Sequence, residues 1–261
     1  MADINSNIDQ PDSLPLAIEA INLSKRYGGL VAVDGLSLQI QTGELFGFLG
    51  PNGAGKTTTL NMLTTLVQPT SGKATICELD LATQSTEIKN RIGLMPDTPK
   101  IYPTLTGRQF IHFVASLYRL DSDTVEERMF RYLNLLDLHP VVDDQIKSYS
   151  YGMQKKILLV SVLIRDPEVL FLDEPTAGLD PKSANTVKQI LVDLCQNGRT
   201  VFMATHILEI AEKVCDRIGI IHQGKLIAVG TLAELRSQIA NVSLEDIFLQ
   251  LTSGGTLSCN A

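Results

Sequence analysis

Apolar and polar positions alternate with a period of two from Leu16 to Phe48: Ile18 and Ala20, Val31 and Val33, then Leu36, Leu38 and Ile40. Gly28-Gly29, Gly35 and Thr42-Gly43 punctuate the run, which predicts a set of short antiparallel strands. It closes on the apolar strand Leu45-Phe46-Gly47-Phe48-Leu49. Thr58 to Val67 reads as a helix that ends before Pro69 and the Ser71-Gly72 turn. Lys73 to Ile76 and Ile92 to Met95 read as strands, the second buried. From about Thr98 to Tyr149 the period turns helical. Thr106 and Gln109 form a capping box ahead of Phe110, Phe113, Val114 and Leu117. Val125, Met129, Tyr132, Leu133 and Leu136 mark a second amphipathic helix, and Leu158 to Ile164 continues into a largely buried one.

Farther on, Val169-Leu170-Phe171-Leu172 is a short apolar strand ending in Asp173-Glu174. Asp180 caps a helix with Pro181 at its first position; it buries Val187, Ile190, Leu191 and Leu194 and stops at Gly198. Thr200 to Ala204 is a strand delivering Thr205-His206. Ile218 to Ile221 and Lys225 to Val229 flank His222-Gln223-Gly224 in a hairpin. Thr231 with Glu234 caps a further helix, and Leu244 to Leu251 forms a last short one. Strands alternating with helices predict an α/β fold with a mainly parallel sheet, an N-terminal antiparallel β subdomain and a helical insertion. Functional groups then belong beyond the carboxyl ends of the strands.

The composition narrows this picture. The 261 residues are 44% hydrophobic, enough for one sizeable α/β domain or a domain with a subdomain. A net charge of -7 argues against a broad nucleic-acid surface. Cys77, Cys195, Cys215 and Cys259 show no CxxC spacing and read as small buried residues. The first fifteen residues are polar and acidic, the wrong composition for a signal peptide. The longest apolar stretch, around Ile157 to Ile164, is stopped by Arg165 and Asp166, well short of the 18 or so residues a spanning helix needs.

Chemistry concentrates in Gly50-Pro51-Asn52-Gly53-Ala54-Gly55-Lys56-Thr57-Thr58, which meets the phosphate-loop pattern GxxxxGK[ST] at every required position. It lies between a strand and a helix. Glycines there let backbone N–H groups turn onto an anion, and the helix N-terminus adds its partial positive charge. Lys56 is placed to reach β- and γ-phosphates and Thr57 to offer its hydroxyl to Mg²⁺. Asp173, after four apolar residues, is placed to hold that metal through water, opposite Thr57. Glu174 is placed to orient or deprotonate an attacking water.

On these motifs, the chain resembles the ATP-binding subunits of ABC transporters from about Ala17 to Thr252. The resemblance implies that Tyr27, in Lys25-Arg26-Tyr27-Gly28-Gly29, stacks on adenine. It implies that Ser150, Tyr151, Gly152 and Met153, matching the family's signature segment, close over the γ-phosphate held by a second subunit. Asp180, in Ala177-Gly178-Leu179-Asp180, matches the loop through which two subunits communicate. His206 matches the switch histidine that contacts the γ-phosphate. Taken alone, Tyr27 is better read as an ordinary strand aromatic, and Ser150 and Asp180 as helix caps.

Two positions depart from the family. Asp97, after Ile92-Gly93-Leu94-Met95-Pro96, stands where Gln is usual; a carboxylate there can still contact Mg²⁺, but is shorter and charged. Tyr151 and Met153 replace the first Gly and the final Gln of the signature. The stretch Tyr102 to Arg108 and the ending Ser243 to Phe248 look like bacterial exporters with separate permease subunits. The expected protein is therefore an ATPase binding ATP and Mg²⁺, paired with a second copy or a similar subunit. It would drive an integral-membrane permease from the inner, cytoplasmic face of the cell membrane. The expected boundaries are a disordered lead-in over 1–15, one ATP-binding domain over 16–252 with its helical part over about 98–165, and a loose tail over 253–261. Two other readings are a soluble ABC ATPase with a non-transport role, disfavoured by the acidic balance and the single cassette, and a regulatory nucleotide-binding module with little turnover. A GTPase is disfavoured by the lack of an NKxD segment.

Overall fold

A computed structural model describes residues 15–238 and 243–252. Of the lead-in expected over 1–15 only Pro15 is described, and the tail expected over 253–261, with Cys259, lies outside the described residues. The chain runs β1 (Leu16–Tyr27), β2 (Leu30–Gln41), β3 (Leu45–Leu49), α1 (Lys56–Leu63), β4 (Ser71–Ile76), β5 (Leu79–Asp80), α2 (Ser85–Arg91) and β6 (Ile92–Met95). It continues through α3 (Gly107–Leu117), α4 (Ser122–Leu135) and α5 (Tyr151–Leu163), then β7 (Val169–Asp173), α6 (Pro181–Gln196), β8 (Thr200–Thr205) and α7 (Leu208–Val214). The hairpin β9 (Arg217–His222) and β10 (Lys225–Gly230) precedes α8 (Leu232–Gln238) and α9 (Leu244–Thr252).

Two sheets result. One has the order β2-β1-β4-β5 and is antiparallel. The other has the order β10-β9-β3-β8-β7-β6, with parallel pairing from β9 through β6 and β10 antiparallel at its edge. The central strands β3, β7 and β8 are buried along their whole length, which explains their continuous apolar runs. Phe202 of β8 joins them across the sheet face, its ring centroid 5.8, 5.2 and 5.6 Å from those of Phe46, Phe48 and Phe171. The α/β architecture is thus the one the alternation predicts.

Local differences have local causes. The N-terminal region is not a set of short strands but two strands of 12 residues each. Gly35 does not turn the chain; it sits at φ 63° inside β2, beside a register shift between the pairs Leu23–Leu36 and Lys25–Val33, and its N–H donates to the Ser24 hydroxyl at 2.8 Å. That is a β-bulge, which a positive-φ glycine accommodates. Helix α1 stops at Leu63 rather than Val67 because Thr65 adopts φ 60°. The N–H groups of Thr65 and Leu66 then close on the carbonyls of Met62 and Asn61, a Schellman cap without glycine.

In α3 the capping box is present, but the core takes Phe110, Ile111 and Ala115, while Phe113 and Leu117 are exposed. Adding Ile111 and Ala115 shifts the buried stripe by one residue around the helix. In α4 the expected Val125, Met129, Tyr132 and Leu133 are all buried, and Leu136 follows at its end. An aspartate fastens the α5–β7 connection to its neighbours: Arg199 donates twice to Asp166, at 2.9 and 2.7 Å, and Arg128 of α4 once at 3.2 Å. No helix among the described residues is long and apolar enough to cross a membrane.

Candidate active site

Parallel order places the carboxyl ends of β3, β6, β7 and β8 side by side, and the loops leaving β3, β6 and β7 line one cavity of about 610 Å³ together with the β1–β2 hairpin and the β9–β10 turn. Its lining comes from Tyr27 and Leu30 to Ala32 around the β1–β2 hairpin, from Pro51-Asn52-Gly53 and Gly55 to Thr58 of the phosphate loop, from Gln223-Gly224, and from Asp97, Asp173 and Glu174. Gly50 and Ala54 lie behind this lining. A Cβ on Gly50 would stand 2.5 Å from the Ile221 carbonyl, and one on Gly55, at φ 110°, 2.6 Å from that of Ala32. Those two positions admit no side chain, so the loop between β3 and α1 sits hard against β2 and β9.

Lys56 is buried, and its ammonium bonds the Gly50 and Pro51 carbonyls at 2.6 and 3.2 Å. Burial lowers its pKa, against the pull of Glu174 and Asp173. The Thr57 hydroxyl donates to Asp173 at 2.8 Å. Burial raises the Asp173 carboxyl, which the Thr57 hydrogen bond counters. Glu174, at φ 50°, is buried and accepts from three donors or partners on the next strand end: the Thr205 hydroxyl at 2.8 Å, the His206 N–H at 2.9 Å and His206 Nδ1 at 2.7 Å. β7 and β8 are neighbours, so two segments 31 residues apart in sequence supply one carboxylate and its holders.

Other expected site residues lie outside the cavity lining. Ser150 is the N-cap of α5, its hydroxyl accepting the Met153 N–H at 3.2 Å, with Tyr151, Gly152 and Met153 in the first turn. Asp180 is the N-cap of α6, bonded to the N–H and hydroxyl of Ser183 at 2.9 and 2.6 Å. His206 touches the site through Glu174 and is not itself among the lining residues. Asp97 lines the cavity, but its carboxylate bonds Lys155 at 3.3 Å. Sequence alone gives Lys155 no role: it stands beside Lys156, just ahead of the apolar run of α5. The sequence places Gln223 and Gly224 in a turn and Thr205 merely before His206, whereas the structure brings the first two to the cavity and the third onto Glu174.

A phosphate-loop cradle, two adjacent buried carboxylates at the end of β7 and an aromatic-edged cleft can hold a nucleoside triphosphate and present its terminal phosphate to Glu174. Comparison with known proteins agrees: residues 33–177 match the ABC transporter family.

This chain belongs to the ABC transporter family.

The relatives carry the same assignment over nearly the whole chain. The linearmycin resistance ATP-binding protein of Bacillus subtilis (strain 168) is 37% identical over 91% of this chain and 75% of its own length. The daunorubicin resistance ATP-binding protein DrrA2 of Streptomyces coeruleorubidus is 39% identical, with coverages of 88% and 71%. Among solved structures, an ATP-binding subunit of an ABC transporter superimposes with a TM-score of 0.86 at 28% identity, covering 90% of this chain and 99% of that one. A dimeric ATP-binding cassette in a post-hydrolysis state, bound to ADP and Pi, gives 0.76 at 25% identity, with coverages of 82% and 98%. Within the ABC transporter family this chain is the ATP-binding, ATP-hydrolysing subunit.

Proposed function

We propose that this ATPase powers export through a separate integral-membrane permease, and that its cycle is carried by the residues gathered at the cavity. The observation that carries the residue-level reading is the placement of Glu174 beside the loop of Lys56 and Thr57, with three contacts from Thr205 and His206 fixing its carboxylate. ATP would lie with adenine against Tyr27 and its phosphates in the Gly50–Thr58 loop. Lys56 would exchange the carbonyls of Gly50 and Pro51 for phosphate oxygens. Glu174 would accept a proton from, or orient, the water that attacks the γ-phosphorus as the bond to the ADP oxygen breaks.

The Thr57 hydroxyl and Asp173 carboxylate, already 2.8 Å apart, are hard oxygen donors of the kind Mg²⁺ takes. They would hold it, with Asp97, which lines the cavity while bonded to Lys155, able to join through water. Bound there, the ion would neutralise charge on the β- and γ-phosphates.

A second copy of this or a similar chain would complete each site through Ser150 to Met153, which lie outside the cavity of their own chain, and Asp180 would sit at the same junction. The dimeric cassette among the structural neighbours supports that arrangement. Relatives named for resistance to linearmycin and daunorubicin, and for Nod factor export, support export. The working place is then the cytoplasmic face of the cell membrane, with the chain peripheral to its permease.

The deciding experiment is phosphate release by purified Glu174→Gln. ATP binding is expected to persist while turnover falls about a hundredfold or more, the range for loss of a general base. Steady-state hydrolysis equal to wild type removes Glu174 from the reaction. Affinity purification from detergent-solubilised membranes tests export: a multi-spanning permease should accompany the chain, and its absence ends that part.

A further inference from the structure

Helix α5 carries a lysine that the ATPase reading does not use. Lys155 has a side chain with no solvent exposure. An ammonium removed from water needs oxygen partners, and it has them at two strand ends. It donates to the Asp97 carboxylate, after β6, at 3.3 Å and to the main-chain carbonyl of Glu174, after β7. One turn earlier, Tyr151 reaches the same place: its hydroxyl donates to the Asp97 carbonyl at 3.2 Å. The Tyr151 ring covers Gly178, where a Cβ would come within 2.8 Å of it, and Lys155 lies 5.8 Å from the ring centroid. Positions 151 and 155 are one helical turn apart, so both side chains leave the same face of α5.

We propose that Lys155 is a positioning residue for the hydrolytic step, clamping the main chain at Glu174 to Asp97 while Tyr151 ties the first turn of α5 to the same aspartate. Glu174 takes up φ 50°, a conformation a non-glycine residue holds only when its surroundings enforce it. Its carboxylate is fixed by Thr205 and His206, and its carbonyl by Lys155, so both ends of the residue are held. The clamp also makes the segment Ser150–Met153 move with Asp97 and Glu174 of its own chain. This inference rests on the assignment of Glu174 above.

The test compares Lys155→Met, Asp97→Asn and the double variant with wild type and Glu174→Gln, reading kcat, KM for ATP, magnesium requirement and melting temperature. Lys155→Met is expected to lower kcat at least tenfold with KM within threefold of wild type. Asp97→Asn should lower kcat less. The double variant should be no slower than Lys155→Met, since the pair is already broken. A Lys155→Met protein that melts earlier but turns over within threefold of wild type, per folded molecule, overturns the clamp and leaves the assignment of Glu174 intact. Full turnover by Glu174→Gln overturns that assignment as well. Should Lys155→Met not fold, Asp97→Asn decides. A lower kcat at every magnesium concentration supports the clamp; an unchanged kcat, or one restored by excess magnesium, overturns it.

Discussion

Thr205→Val isolates one contact to the carboxylate on which hydrolysis turns. Thr205 is 1% exposed, and its hydroxyl is the donor to Glu174 Oε2 at 2.8 Å. Valine keeps the branched shape and removes only that donor, together with the acceptor for the Ile207 N–H at 3.1 Å. A hydrogen bond to a charged group contributes about 1.5–3 kcal/mol net. Were all of it used to hold Glu174 in the transition state, kcat would fall by about 10- to 150-fold, at 1.36 kcal/mol per factor of ten. Two contacts from His206 remain, so the expected fall lies toward the lower end, about tenfold. Thr205 does not line the cavity, and KM for ATP should therefore hold. Phosphate release across an ATP titration gives both constants, and a urea unfolding curve separates lost stability from lost chemistry. A folded variant with kcat within twofold of wild type would refute the view that this strand end orients Glu174.

Three further outcomes follow from the same geometry. Lys56→Ala removes charge-assisted contacts of about 1.5–3 kcal/mol to phosphate, so ATP affinity should drop tenfold or more; equal binding in a calorimetric titration contradicts that role. Tyr27→Ala removes a stacking face worth about 1–3 kcal/mol and should weaken ATP binding about fivefold or more, whereas Tyr27→Phe should bind as wild type; an unaffected alanine variant means adenine lies elsewhere. Burial raises the Glu44 carboxyl above its ordinary 4.5, against the Gln41 N–H and Arg217. Folding thus favours the protonated form: its contribution is full below the ordinary value and is lost as pH rises through the raised one. The stability of wild type minus that of Glu44→Gln should fall from pH 4 toward pH 7 in urea unfolding, and a constant or rising difference excludes this.

What could be read along the chain was whatever is encoded by neighbours in sequence. The phosphate loop is one continuous segment between a strand and a helix. The Asp180-Pro181 and Thr106-Gln109 helix starts are caps within four residues, and both have the expected hydrogen bonds. The alternation of β3, β7 and β8 with helices specified an α/β core because fully buried parallel strands must be apolar throughout. Long-range geometry was not encoded that way. Nothing near Glu174 announces that Thr205 and His206 hold it; only the pairing of β7 with β8 does so. Lys155 is one of two adjacent lysines in the sequence, and only the convergence of β6, β7 and α5 gives it its partners. The shift of the α3 stripe to Ile111 and Ala115, and the early end of α1 at Thr65, were likewise settled by packing and by a left-handed residue no turn motif marks. Hydrogen bonds and side-chain periods within a few residues are properties of the chain itself, whereas partners such as Lys155 and Glu174, 19 residues apart, or Glu174 and Thr205, 31 apart, meet only once the sheet has set its strand order.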